Sequence, residues 1–362
     1  MTETLTGTIL TPAGWTRGEI AFADRIERIS GDAATAPEPP WLIPGFVDAH
    51  VHGGGGADMM DGAGAIRTAA ALHARHGTTT LLATSVTAPI GATEAFLAAV
   101  AEVAAEPPEG RARVPAAHCE GPFINPDKLG AQPPHAIPAD PGLMARWLDI
   151  APVRVVTLAP EMDEGDRLRD MLLARGVRVQ VAHALCDYAA AARAIHAGCG
   201  VTHLFNAMTG VAHRGNGIAG AALAHARYAE IIPDLIHVEP GAILAARRAI
   251  PNLYGVTDAT GGAGMPDGHY TLGAHEVTKQ GGSMRLADGT LAGSALTMDR
   301  ALRNLVSIGL PLDEAARRLS TIPADWLGMP DAGRLSPGAR ADIVTLDADL
   351  NVTEVRIGGR AI

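Results

Sequence analysis

Six side chains that could bind a metal ion stand at or just after the ends of short apolar runs. They are His50, His52, Glu120, His183, His203 and Asp258. Imidazole nitrogen and carboxylate oxygen suit zinc, and they also accept iron, cobalt or manganese. A divalent ion held by such groups would lower the pKa of a bound water and polarise a carbonyl. Asp258 could then take the proton of that water and pass it to a leaving amine.

The spacing of the first two histidines fits this interpretation. Residues two apart on a strand face the same side, so His50 and His52 could both point toward one ion. Each residue alone also has a structural interpretation: the pair could cap a strand, Glu120 could be a solvated loop acid, and His183 could be a buried core histidine. The shared position of all six at strand ends favours a metal site.

Short β-rich runs alternate with alanine-rich helical stretches through the middle of the chain, which predicts an α/β fold of the (β/α)8 TIM-barrel type. The predicted strands are Leu42–Val47, Thr78–Ala83, Val114–His118, Val153–Leu158, Val177–Val181, Val201–Leu204, Glu230–Ile236 and Leu253–Thr257. The predicted helices are Ile66–His76, Thr93–Ala105, Asp166–Arg175, Ala189–His196 and Gly241–Ala249. A doubly wound open sheet is the alternative, but no glycine-rich dinucleotide loop supports it. Active sites of such barrels lie at the carboxyl ends of the strands.

Both chain ends are rich in strands and turns and poor in helix. We expect residues 1–44 and 331–362 to pair into one small β-sandwich-like domain, beside a barrel of residues 45–330. Turn signals at Gly281-Gly282 and Asp288-Gly289 predict hairpins between residues 268 and 292.

Composition narrows the range of functions. The chain has 362 residues, with 29 Lys and Arg against 39 Asp and Glu, a net charge of −10. This balance argues against a nucleic-acid partner. Three cysteines without a CxxC pair favour a reducing compartment. Neither a signal peptide nor a membrane-spanning run is recognisable, so a cytoplasmic location is expected.

Several motifs resemble those of one family, the N-acetylglucosamine-6-phosphate deacetylases of the amidohydrolase superfamily. The resemblance extends over nearly the whole chain. The motifs are PGFVDAHVHG (Pro44–Gly53), EGPFINP (Glu120–Pro126), THLFNAM (Thr202–Met208), VTDA (Val256–Ala259), LADGTLAGS (Leu286–Ser294) and PGARAD (Pro337–Asp342).

The resemblance implies hydrolysis of N-acetylglucosamine 6-phosphate to glucosamine 6-phosphate and acetate, and assigns roles to individual residues. Glu120, His183 and His203 match the ligands of one metal ion, while His50 and His52 match the pair that completes a second site in some members. Asp258 matches the catalytic aspartate. The resemblance further implies four groups that hold the sugar phosphate, with His237 reaching it from the neighbouring subunit of a homodimer: Asn206, Ala207, Arg214 and His237.

One departure from the family pattern affects the substrate site. Gln132 stands where the family has a histidine that polarises the substrate carbonyl, and His135 could substitute for that histidine. A glutamine amide can donate a hydrogen bond but carries no positive charge. Two other functions therefore stay open: deacylation of another N-acyl compound, such as N-acetylgalactosamine 6-phosphate or an N-acylated amino acid, or non-catalytic binding of a metal or sugar phosphate.

Overall fold

A computed structural model describes residues 2–362, with strands alternating with helices in the middle of the chain. The strands are β1 (Glu3–Thr11), β2 (Gly14–Phe22), β3 (Ile26–Ala33), β4 (Trp41–Pro44), β5 (Phe46–Val51), β6 (Gly53–Gly54), β7 (Ala57–Asp58), β8 (Thr78–Ser85), β9 (Ala117–Glu120), β10 (Val153–Leu158), β11 (Arg178–Val181), β12 (Gly200–Val201), β13 (Tyr228–Ile231), β14 (Asn252–Gly255), β15 (Gly268–Leu272), β16 (His275–Gln280), β17 (Ser283–Arg285), β18 (Leu291–Ser294), β19 (Ile343–Leu346), β20 (Val352–Ile357) and β21 (Arg360–Ala361). The α-helices are α1 (Ala63–Arg75), α2 (Ile90–Ala104), α3 (Pro141–Ile150), α4 (Arg167–Ala174), α5 (Tyr188–His196), α6 (Ile218–His225), α7 (Pro240–Ala249), α8 (Met298–Ser307), α9 (Leu312–Leu319) and α10 (Thr321–Trp326).

Eight parallel strands form a closed barrel. Six of them pair in the order β12-β11-β10-β9-β8-β5, and β13 pairs with β14. Backbone hydrogen bonds join the two groups, because the Leu204 N–H donates to the Glu230 carbonyl and the Asp258 N–H donates to the His50 carbonyl, each at 2.9 Å. Every residue of β5 and β8 is buried, as expected for parallel strands covered by helices. The predicted (β/α)8 barrel is confirmed.

The two chain ends meet in one sheet of seven strands, in the order β21-β20-β19-β4-β1-β2-β3. Strand β4 is the junction, since it runs parallel to β1 and antiparallel to β19. Apolar side chains from both ends of the chain, including Ile20, Leu42 and Ile343, form a core of their own beneath the sheet. The expected pairing of the ends is observed, while the domain boundaries proposed at residues 44 and 331 stay a prediction.

The predicted first strand, Leu42–Val47, is wrong as a single element. The chain breaks at Gly45, so that β4 joins the end sheet and β5 begins the barrel. A Cβ atom at Gly45 would lie 2.2 Å from the Thr79 side chain, so only glycine fits at this junction. Three other predicted strands are too long at their carboxyl ends, because the barrel strands stop at Val201, Ile231 and Gly255.

The predicted helices form within a few residues of their expected bounds, whereas α3, α6 and α8 to α10 were not predicted. The predicted hairpins are also observed, as the antiparallel sheet β15-β16-β17-β18. Leu272, Val277 and Met284 of this sheet pack against Val86, which directly follows β8. This contact places the hairpin sheet beside the mouth of the barrel. Within residues 2–362, none of the helices is both long and apolar enough to cross a membrane.

Candidate active site

The six predicted metal-binding and catalytic side chains meet at one end of the barrel. His50 lies in β5, His52 directly follows it, and Glu120 ends β9. The other three follow the ends of β11, β12 and β14 by two or three residues, and they are His183, His203 and Asp258. None of the six is more than 8% exposed. The carboxyl ends of five strands therefore bring together a buried polar cluster.

One half of this cluster is built around a single carboxylate oxygen. The Oε1 atom of Glu120 lies 2.9 Å from His203 Nε2 and 3.3 Å from His183 Nε2. The two imidazole Nε2 atoms are 3.1 Å apart. These three side chains present their ligand atoms to a common point, as a metal site requires.

The second half is formed by His50, His52 and Asp258. The Nε2 atoms of His50 and His52 are 3.1 Å apart, and they lie 3.4 and 3.2 Å from Asp258 Oδ1. Glu120 connects the two halves, because its Oε2 atom is 3.2 Å from His52 Nε2. The arrangement has the form of two adjacent ion sites bridged by one glutamate.

Backbone carbonyls orient two of the rings. His183 Nδ1 lies 2.9 Å from the Lys128 carbonyl, and His52 Nδ1 lies 3.2 Å from the Thr84 carbonyl. A carbonyl can only accept a hydrogen bond, so each Nδ1 donates, and in the neutral ring the lone pair is on Nε2. Both Nε2 atoms face the cluster, where the neutral ring can bind a metal.

The charges of the cluster compensate one another. Burial favours the neutral form of Asp258, but His50 and His52 outweigh this effect and lower its pKa to about 2. Burial opposes the charge of His52, whereas hydrogen bonds from its ring to Asp258 and Glu120 raise its pKa to about 9. Carboxylates this deeply buried need positive partners. A divalent cation fits the same ligand atoms and would supply that positive charge directly.

A cavity of about 400 Å³ opens above the cluster. Its volume suits a small molecule. The two halves of the cluster form its base through five of their six side chains, all except His50. Four of the predicted substrate-binding residues line it: Gln132, Asn206, Ala207 and His237. Part of the remaining wall comes from the β15–β18 hairpin sheet.

Gln132 faces the cavity but makes contacts that its sequence position did not predict. Its Oε1 atom accepts a hydrogen bond from the Thr87 backbone N–H at 2.6 Å. This bond fixes the amide so that Nε2 donates to Glu120. Gln132 thus holds the bridging carboxylate. His135, the suggested substitute for the missing histidine, is exposed and does not line the cavity.

His237 and Arg285 are basic side chains of the cavity wall, and Arg214 is not. His237 lines the cavity of its own chain, and its Nδ1 lies 2.7 Å from Asp234 Oδ2. Burial opposes the charge of His237, but this bond to Asp234 raises its pKa. Arg214 is exposed and lies outside the cavity lining, whereas Arg285 at the end of β17 belongs to it. No sequence pattern identified Arg285 as a cavity residue, although the neighbouring Asp288-Gly289 turn predicted the hairpin to which it belongs.

The eight-stranded barrel and its histidine–carboxylate cluster define a metal-dependent hydrolase. The chain matches the amidohydrolase family over residues 41–362 and belongs to that family. Members of the family depend on divalent metal ions, and the cluster offers the ligands for them.

Several similar relatives and solved structures are deacetylases of amino-sugar phosphates. An N-acetylgalactosamine-6-phosphate deacetylase from Escherichia coli O157:H7 is 37% identical, with 97% of each chain covered. An N-acetylglucosamine-6-phosphate deacetylase from Vibrio furnissii is 34% identical, covering 90% of this chain and 83% of the relative. A mutant deacetylase from Mycobacterium smegmatis, solved in complex with N-acetyl-D-glucosamine-6-phosphate, is 35% identical with a TM-score of 0.92, and 99% of each chain is covered.

Proposed function

We propose that this protein hydrolyses the acetamide of N-acetylglucosamine 6-phosphate, releasing glucosamine 6-phosphate and acetate. The observation that carries the proposal is the position of Asp258, which belongs to the cluster of candidate metal ligands and also lines a cavity with basic side chains on its wall. A base beside a metal site is needed for hydrolysis and not for binding alone. The deacetylases among the relatives and solved structures support the same reaction.

The metal requirement fits the residues present. Glu120, His183 and His203 would hold one ion, while His50, His52 and Asp258 would hold a second with Glu120 between them. A bound divalent ion lowers the pKa of water and draws electron density from a carbonyl oxygen. Histidine and carboxylate ligands favour Zn²⁺, and iron, cobalt and manganese are also compatible.

Asp258 moves the proton in this reaction. Its low pKa leaves it ionised at neutral pH and ready to accept a proton from the attacking water. As the carbon–nitrogen bond breaks, the protonated Asp258 returns that proton to the amine. The water thus supplies one oxygen of the acetate and the new hydrogen of the amino group. Gln132 keeps Glu120 in position throughout.

The phosphate would bind on the side of the cavity where His237 and Arg285 are found. Both are basic side chains on the cavity wall, and a guanidinium suits a phosphate well. Asn206 and Ala207 line the same cavity and would contact the sugar phosphate. The phosphate contact of Arg214 and the homodimer stay predictions from the resemblance, and the cytoplasmic location stays a prediction from the sequence.

N-acetylgalactosamine 6-phosphate is a second candidate substrate. It is favoured by the Escherichia coli relative, which matches 97% of this chain. The two sugars differ only in the orientation of one hydroxyl, and the metal cluster and the acetamide are the same in both cases. The choice between them therefore depends on the cavity wall and not on the ion sites.

Acetate release by the purified protein tests the proposal directly. The zinc-loaded protein should be assayed with both phosphorylated sugars and with free N-acetylglucosamine. We expect the highest kcat/KM with N-acetylglucosamine 6-phosphate and a large loss without the phosphate. A higher kcat/KM with N-acetylgalactosamine 6-phosphate would assign that sugar as the substrate instead. No acetate release from any of the three would refute the proposed activity.

A further inference from the structure

Glu230 is a carboxylate that lies beneath the cluster and outside the cavity. It stands in β13, it is fully buried, and it does not line the cavity. A buried carboxylate is costly unless hydrogen-bond donors surround it. Glu230 has no access to substrate, so its function must be exerted through the side chains that it contacts.

Three donors satisfy this carboxylate. Its Oε2 atom lies 3.0 Å from His50 Nδ1 and 3.2 Å from the backbone nitrogen of His203. Its Oε1 atom accepts a hydrogen bond from the Tyr254 hydroxyl at 3.3 Å, and Gln180 holds that hydroxyl in turn. The carboxylate is therefore fixed from both sides, and one of its oxygens is directed at His50.

The contact with Glu230 determines which nitrogen of His50 can bind a metal. An ionised carboxylate only accepts hydrogen bonds, so the proton of His50 must be on Nδ1. In the neutral ring that can bind a metal, the lone pair then lies on Nε2, the atom that faces His52 and Asp258. We propose that Glu230 is a positioning residue that holds His50 in this orientation and thereby forms the second ion site.

A metal site made from His50, His118 and Glu230 is the competing interpretation, since their ligand atoms also lie close together. The ring of His118 is already in use, however. Its Nδ1 lies 3.1 Å from the Ala49 carbonyl and its Nε2 lies 2.8 Å from the Thr157 hydroxyl. The carbonyl can only accept, so Nδ1 of His118 donates to Ala49 while its Nε2 is hydrogen-bonded to Thr157, and neither nitrogen is free to bind an ion. Glu230 and His118 therefore support His50 without forming a third ion site.

The inference rests on the proposed metal-dependent function, but its test measures metal binding and needs no substrate. Such carboxylate–histidine–metal contacts typically contribute 10- to 100-fold in metal affinity. We expect the loss to fall mainly on the second ion, because Glu230 contacts the ring of His50 but only the backbone N–H of His203, and the first site has its own supports at Lys128 and Gln132. The selective loss of one ion distinguishes a positioning role from general support of the fold.

The experiment compares Glu230→Gln and Glu230→Leu with the wild-type chain and with Tyr254→Phe as the matched control. Tyr254→Phe removes another hydrogen bond to the same carboxylate and leaves His50 untouched. Zinc bound per chain is measured by mass spectrometry over a range of buffered free zinc, and folding is checked by circular dichroism. Because the glutamine variant is nearly isosteric and keeps an acceptor, it gives an answer even where the leucine variant does not fold.

We expect two ions in the wild type and in Tyr254→Phe. The affinity for the second ion should fall about tenfold in Glu230→Gln and up to about 100-fold in Glu230→Leu, with the first ion retained. Wild-type affinity for the second ion in Glu230→Gln would overturn the proposal. So would a wild-type chain that binds only one ion, or the loss of both ions together in Glu230→Gln. None of these results depends on deacetylase activity, which is tested separately.

Discussion

Three residues of the cluster have an unusual backbone conformation. The φ angles of His183, His203 and Asp258 are 45°, 29° and 49°. L-residues rarely adopt such values, and each one costs about 1–3 kcal/mol unless the surrounding structure enforces it. All three follow strand ends, where the chain turns away from the barrel. The strained turns direct these side chains into the cluster. The cost in stability therefore falls on the residues that are expected to carry the chemistry.

Replacing Asp258 by asparagine tests its role in proton transfer. Asparagine has nearly the same shape but cannot accept a proton, so we expect kcat to fall by about 10²–10⁴-fold. The ion held by Glu120, His183 and His203 should remain, because none of these ligands changes. Steady-state kinetics and metal analysis on the same sample provide the measurement.

The exposed Asp288, replaced by asparagine in the same way, is the matched control for Asp258→Asn. Its side chain is outside the cavity lining, and kcat should stay at the wild-type value. Near-wild-type turnover in Asp258→Asn would remove this residue from the proton-transfer step.

The sequence predicts some site residues better than others for physical reasons. His50 and His52 can be predicted to converge because alternation along a strand is a local property. The hydrogen bonds of Gln132 to Thr87 and Glu120 cannot, since they join residues up to 45 positions apart. Glu230 gave only one local signal, a charge within an apolar strand, and its partner His50 is 180 positions away.

At the scale of elements, the hairpin sheet β15–β18 determines the outer wall of the cavity. Turn signals predict its hairpins, but its place above the barrel depends on apolar contacts with Val86, which no local pattern reveals. For the same reason, Arg285 could not be recognised as a cavity residue. The exposed Arg214 was singled out by resemblance alone.

Arg285→Ala tests the hairpin wall as the phosphate site. A charge-assisted hydrogen bond contributes roughly 1.5–3 kcal/mol, so we expect KM for N-acetylglucosamine 6-phosphate to rise about 10- to 100-fold. KM for free N-acetylglucosamine should hardly change. Arg214→Ala should have the smaller effect, because that side chain lies outside the cavity. The reverse order of the two variants would assign the phosphate to Arg214.

Asp299 lies in the first turn of helix α8 and links this helix to the rest of the fold. Asp299 contacts His76 at 3.2 Å, the Thr297 hydroxyl at 2.5 Å and Arg303 at 3.0 Å. Burial favours the neutral acid, but these donors hold the pKa of Asp299 well below its ordinary value. The negative charge also suits the amino end of a helix.

We expect Asp299→Asn to lower the free energy of unfolding at pH 7 by about 1–3 kcal/mol. Because the pKa of Asp299 is lower in the folded state, its stabilisation is complete above the unfolded value of 3.8 and is lost as pH falls below it. Denaturant unfolding from pH 7 to pH 3 should therefore show the difference from wild type shrinking at the acidic end. The exposed Asp149→Asn is the control. A pH-independent difference would contradict the charge-based explanation.

At the scale of the whole molecule, the net charge of the chain is opposite in sign to the two basic side chains on the cavity wall. The net charge of −10 disfavours anions at long range. His237 and Arg285 oppose this field only within the cavity. A phosphorylated sugar is therefore expected to bind through local contacts, and the composition of the chain predicted this without locating the residues.

The proposed ion sites also connect distant parts of the barrel, which would make metal binding a property of the whole fold. Their ligands come from β5 and β9 and from the turns after β11, β12 and β14, so an unfolded chain cannot assemble them. Zinc at 100 times its dissociation constant should stabilise the native state by about 2.7 kcal/mol per ion, provided that the unfolded chain does not bind it. Calorimetry of zinc-loaded and chelator-treated protein should thus show Tm falling by several degrees on metal removal. Glu120→Gln, which weakens both sites at their shared ligand, should show a much smaller difference between the two conditions. Equal Tm values for the wild type with and without zinc would contradict a metal site that spans the barrel.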